Sequence, residues 1–188
     1  MKLDELIIMN STLGNGKLED ALCRASDTIW WEFEVSRILN LWCGSTWYAE
    51  ANWWKKGEFE PRLCRSLHTA AQGNLQVMGV DKYPNEEEDF EWHQIDLLKS
   101  PWNLHMKIRR EVDLVLNEKF SDDLDPCPEL RASLWEIKLP LHKFNELLEE
   151  AVCSVMKQGA LYLLFGWNFT LKRKVDWKLI TVKEIIVT

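Results

Sequence analysis

Apolar positions along this chain follow two rhythms, and the switches between them predict helices alternating with strands. Residues 17–33 carry Leu18, Ala21, Leu22, Ala25, Ile29 and Phe33 at near-helical spacing, behind a turn signal at Asn15-Gly16. Residues 36–41 then read as a strand. A helical pattern covers 47–71, split by Gly57 and Pro61, with Pro61 suited to the first turn of a helix over 62–68. Gly73-Asn74 should stop that helix before a strand at 76–80. Further strands are expected at 92–95, 112–116 and 160–165. Between them lie helices over 104–110 and 132–156, the latter interrupted by Pro140. The weakly alternating tail, 175–188, could supply a closing hairpin. Strands alternating with helices imply an α/β fold: a three-layer sandwich with a mainly parallel sheet covered on both faces.

The chain has 188 residues, and its hydrophobic share of 46% is enough for a substantial core. One domain over 1–188 is the simplest organisation. It would comprise a helical extension at 1–34, a core at 36–166 and a tail or closing strands at 167–188. No stretch approaches the roughly 20 apolar residues of a membrane helix, and the start does not read as a secretory signal. A net charge of −7 argues against nucleic acid as a partner, because such binding rests on phosphate neutralisation. The basic clusters at 107–110 and 172–174 are short. Five irregularly spaced cysteines with no CxxC pair suggest a reduced, cytoplasmic protein and no metal site. The acidic run 84–91 reads as a solvated loop. Eleven tryptophans, several in pairs, point mostly to packing. They also leave open an exposed aromatic surface for a protein partner or a homodimer.

The candidate chemistry lies where the strands end. The first apolar run closes in Cys43-Gly44-Ser45, the second in Asp81, and the third segment presents Asp96. Val112 to Leu116 and Ala160 to Phe165 follow in order. This ordered set resembles the successive motifs of the class I S-adenosylmethionine-dependent methyltransferases, over roughly residues 36–166. The resemblance implies a Rossmann-like fold, S-adenosylmethionine as cofactor, and a small-molecule or protein methyl acceptor.

The family's first motif is an acid followed by three glycines at alternate positions. Asn40 stands at the acid's position, Trp42 at the first glycine's, Gly44 at the second and Thr46 at the third, so this motif is degenerate. The Trp42 indole could fill part of the cofactor's space or turn aside and pack. Asp81 matches the acid that accepts hydrogen bonds from both ribose hydroxyls; a strand-end cap is its plainer use. Asp96 stands where relatives place a group near the adenine amine, with Ile95 or Leu97 to flank the ring, and it could equally cap a helix. The family has no universal catalytic residue, since methyl transfer depends mostly on alignment.

Other schemes fit less well. The four histidines are scattered outside any HExxH arrangement, and there is no P-loop, GxGxxG or GxSxG motif. Pro126-Cys127-Pro128 lies beyond the strand-end context of a cytosine-methylating cysteine. The two function readings are therefore a methyltransferase with a degenerate first motif and a catalytically silent methyltransferase-like domain serving as an interaction module. Asp81 and Asp96 favour the first; Trp42 and Thr46 favour the second.

Overall fold

The computed structural model describes residues 2–11, 22, 34–118, 128–165 and 168–186. The helix expected over 17–33, apart from Leu22, lies outside these residues, as does most of the loop expected at 122–128. The chain divides into two compact units, Met1–Gln94 and Ile95–Thr188.

The first unit runs α1 (Leu3–Ser11), β1 (Arg37–Leu41), α2 (Thr46–Ala51), a 3-10 turn (Trp53–Lys55), α3 (Lys56–Phe59), α4 (Arg62–Ala71), β2 (Gln76–Asp81) and β3 (Glu91–Gln94). β1 and β2 pair in parallel, with Leu39 opposite Met78 and Leu41 opposite Val80, and β3 pairs in parallel with β2. Ile38, Leu39, Leu41, Val77, Met78 and Val80 are all buried. Burial on both faces explains why these strands read as continuous apolar runs. α4 turns Leu63, Cys64, Leu67 and Ala71 inward and packs on β2. It ends in two left-handed residues, Gln72 and Gly73, as the Gly-Asn stop signal predicts.

Two local expectations shift. The helical stretch after β1 breaks at Asn52, whose backbone N–H and Nδ2 both turn back to the Tyr48 carbonyl, at 3.1 and 2.9 Å. Gly57 instead lies inside α3, where an added Cβ would meet nothing within 4 Å. Pro61 caps α4 from just outside, and its carbonyl accepts from Arg65 N–H at 3.1 Å.

The second unit runs α5 (Asn103–Lys107), β4 (Val112–Glu118), α6 (Pro128–Ile137), α7 (Leu141–Val155), β5 (Met156–Phe165), β6 (Asn168–Val175) and β7 (Lys178–Ile186). β4 and β5 pair in parallel, whereas β5, β6 and β7 form an antiparallel meander. The sheet structure is thus mixed. The two-residue connection Asp176-Trp177 can only return the chain antiparallel; the closing strands begin at Asn168, within the expected 167–188, and the hairpin turns just past 175. α7 buries Phe144, Leu148, Ala151, Val152 and Val155, a single helical stripe, and packs against α5 and β7. Among the described residues, no helix is long and apolar enough to cross a membrane.

Candidate functional site at the carboxyl edge of β1 and β2

Because β1 and β2 are parallel and adjacent, their following loops emerge side by side. The loop after β1 (42–45) and the loop after β2 (82–86) are stitched together by two side chains. Asp81 Oδ2 accepts from Gly44 N–H at 3.2 Å, and Oδ1 accepts from Tyr83 N–H at 3.1 Å. Asn85 is almost fully buried; its Oδ1 accepts from Thr46 N–H at 2.8 Å and its Nδ2 donates to the Gly44 carbonyl at 2.9 Å. Ser45 caps α2 by accepting from Tyr48 N–H, and its hydroxyl donates to the Pro84 carbonyl at 2.5 Å.

These contacts commit every backbone donor from Cys43 to Thr46. Cys43 N–H goes to the Val80 carbonyl at 3.0 Å and Ser45 N–H to the Phe59 carbonyl at 2.8 Å. Gly44 N–H goes to Asp81 and Thr46 N–H to Asn85. None of these four backbone N–H groups is spare for a ligand.

Gly44 is required by the protein's own backbone. Its φ is +93°, and a Cβ there would stand 2.6 Å from the Phe59 carbonyl oxygen and 2.8 Å from Glu60. Trp42 also has a left-handed φ, +57°, and is half-buried. A non-glycine residue in that region carries backbone strain.

Asn40 is buried in β1. Its Nδ2 donates weakly to Cys64 Sγ at 3.6 Å, and its Oδ1 has no hydrogen-bond partner. Cys43 lies beneath the loop. Its hydrogen bond with Cys64, then burial, push its thiol well above the ordinary value, so it stays protonated and donates to the Gly44 carbonyl at 3.2 Å. Gly79 makes room for it, since a Cβ there would meet Cys43 Sγ at 2.7 Å.

Burial raises the Asp81 pKa above 3.8, partly offset by the Tyr83 and Gly44 N–H groups and the Lys82 charge. Around it stands an aromatic cluster. Tyr48 and Tyr83 stack at 4.5 Å, Trp47 lies 5.6 Å from Tyr83, and the Lys82 ammonium sits 4.7 Å over the Tyr83 ring.

Four of the five sequence-predicted site residues, Asn40, Trp42, Gly44 and Asp81, thus fall on the first unit at or beside the end of β1 and β2. Asp96 opens the second unit. There its Oδ1 accepts from Leu98 and Lys99 N–H at 3.2 and 3.4 Å, the capping use. Ile95 and Leu97, expected to flank a ring, are core residues. Sequence reasoning missed Asn85, along with the backbone of Phe59 and Glu60. Asn85 lies in the acidic run read as a solvated loop, yet Asn85 and Phe90 are buried, and Glu88 pairs with Arg65 at 2.6 Å. An amide and an aromatic amid acids were the available signal.

The fit of S-adenosylmethionine to these residues differs between its two ends. A carboxylate offers about four lone-pair sites, and Asp81 spends up to three of them on the Gly44, Tyr83 and Lys82 N–H groups, which leaves limited acceptor capacity for a ribose diol. At the amino-acid end the loop donors are committed, and Trp42 and Thr46 occupy the outer glycine positions.

The parallel pairing of β1, β2 and β3, and of β4 and β5, accords with a methyltransferase-like fold. The MycE methyltransferase from the mycinamycin biosynthetic pathway, solved with Mg and SAH in crystal form 2, matches with a TM-score of 0.50 at 13% identity, covering 86% of this chain and 36% of that one. Its crystal form 1 gives a TM-score of 0.47 at 13% identity, covering 74% and 30%. The complex with Mg, SAH and mycinamycin VI gives 0.44 at 14% identity, covering 86% and 33%. The chain spans about a third of the length of these neighbours, and identities this low show the fold alone. No protein-family model and no curated protein matches the sequence.

Proposed function

We propose that this chain binds S-adenosylmethionine at the carboxyl edge of β1 and β2 and transfers its methyl group to a small-molecule or protein acceptor. The carrying observation is Asp81. It ends β2, retains acceptor capacity beside its backbone donors, and is fixed beside the β1 loop by Gly44 N–H. In this reading it holds the two ribose hydroxyls. Asn40, buried in β1 with its Oδ1 unpartnered, and Trp42 stand beside the amino-acid end, which gains little hold from the committed β1 loop. The bound sulfonium supplies the methyl group. SAH in the MycE structure of crystal form 2 supports a nucleoside thioether as the ligand class.

A second reading, a silent interaction module, draws on two observations: the absence of spare loop donors, and the exposed indoles of Trp47, Trp53 and Trp54. Calorimetric titration with S-adenosylmethionine and SAH separates the two. The enzyme reading expects saturable binding that Asp81→Ala weakens by about 1.5–3 kcal/mol, the scale of charge-assisted hydrogen bonds. Unchanged affinity in Asp81→Ala refutes the ribose assignment. No binding at millimolar cofactor by either the wild type or a folded Trp42→Gly leaves the silent module.

A further inference from the structure

We propose that the corner between α6 and α7 in the second unit is a binding site for a small amphiphilic anion, a carboxylate carried on an apolar chain or ring. The corner encloses a cavity of about 520 Å³, within the range of small-molecule sites. Arg131, Leu134 and Trp135 line it from i, i+3 and i+4 of α6, and Lys138, just past the end of that helix, extends the stripe with a second cation. Leu139 and Leu141, on either side of Pro140, also line it. No acidic residue lines the cavity among the described residues.

The turn that builds this corner is a Schellman motif. Lys138 N–H goes to the Trp135 carbonyl at 3.2 Å and Leu139 N–H to the Leu134 carbonyl at 3.0 Å. Lys138 sits at φ +54°, a position that favours glycine. The sequence places an ammonium there instead, and its side chain has no hydrogen bond or ion pair among the described residues. Trp135 is 86% exposed beside it. An indole that open gains most from a ligand that covers it, and a neighbouring unpaired cation selects an anionic head. The stripe from Arg131 to Lys138 is about 10 Å long at 1.5 Å per residue, enough for a medium-length chain or a fused ring lying over Leu134 and Trp135 with its carboxylate on Lys138.

The probes are decanoate and its uncharged counterpart 1-decanol, titrated into the ¹⁵N-labelled full chain and followed by amide shifts. Lys138→Gly is the informative variant, because glycine suits the left-handed backbone and keeps the turn folded. Decanoate is expected to bind saturably with shifts centred on residues 131–141. Lys138→Gly should weaken it about two- to fivefold, the scale of an exposed ion pair, while decanol binding stays unchanged. The proposal is overturned if decanoate does not saturate, if its shifts centre elsewhere, or if Lys138→Gly leaves decanoate unaffected or weakens decanol equally.

Discussion

The two strand ends that meet in the first unit are built to opposite plans. At the end of β2, Asp81 is fixed by the backbone N–H groups of Gly44, Tyr83 and Lys82 and still has acceptor capacity to spare. At the end of β1, the four consecutive N–H groups from Cys43 to Thr46 are all taken, by Val80, Asp81, Phe59 and Asn85. In the reading proposed above, the first end would take a diol; the second is closed on itself. The loop after β1 thereby acts as a structural clasp.

Gly44→Ala should break that clasp with the largest effect. The new Cβ meets backbone oxygen at 2.6 Å in a left-handed conformation, so a stability loss of about 3 kcal/mol is expected in urea unfolding. A loss below about 1 kcal/mol would mean that the loop yields easily and is no clasp. Asn85→Ala removes a buried acceptor for Thr46 N–H and a donor to the Gly44 carbonyl, and should cost about 2 kcal/mol by the same measurement. If it instead strengthens SAH binding, the released Thr46 N–H serves the ligand, which sharpens the contrast between the two ends.

The strands were legible because their apolar runs and the ends of β1 and β2 follow from local sequence: 37–41 was expected and Arg37–Leu41 is found. Asp81 and Gly44 were placed by the same logic. The clasp was not legible. Asn85 lies 39 residues from Thr46, and the Phe59 and Glu60 carbonyls act through backbone alone, which no side-chain pattern reports. The helix break fell at Asn52 because an amide side chain turned back on Tyr48, whereas Gly57, the louder signal, met no steric demand.

Trp42→Gly has a smaller expected effect. Glycine relieves the left-handed backbone by about 1 kcal/mol, against the loss of a half-buried indole. The net stability change should stay near 1 kcal/mol, and SAH affinity should rise as the first glycine position opens. Weaker SAH binding in a folded Trp42→Gly would show that the indole supports the ligand.

The smallest effect concerns pH. Burial raises the Asp81 pKa above 3.8, so between that unfolded-type value and the higher folded value the native state holds more protons. Stability linked to this group therefore falls as pH rises through that window and stays lower above it. Asp81→Asn removes this dependence, so the difference in urea midpoint should move in the variant's favour between about pH 3 and about pH 7. A difference that is flat with pH would contradict the buried-carboxylate assignment.

The contrast between the two strand ends is tested most directly by comparing SAH with 5′-methylthioadenosine, which keeps the ribose and lacks the amino-acid arm, in parallel calorimetric titrations. If Asp81 supplies the hold and the β1 loop has no donors to give, the two ligands bind within about threefold of each other, less than about 0.7 kcal/mol. SAH binding more than about thirtyfold tighter, roughly 2 kcal/mol, would contradict the account, because it would show that the amino-acid arm finds strong partners on this chain.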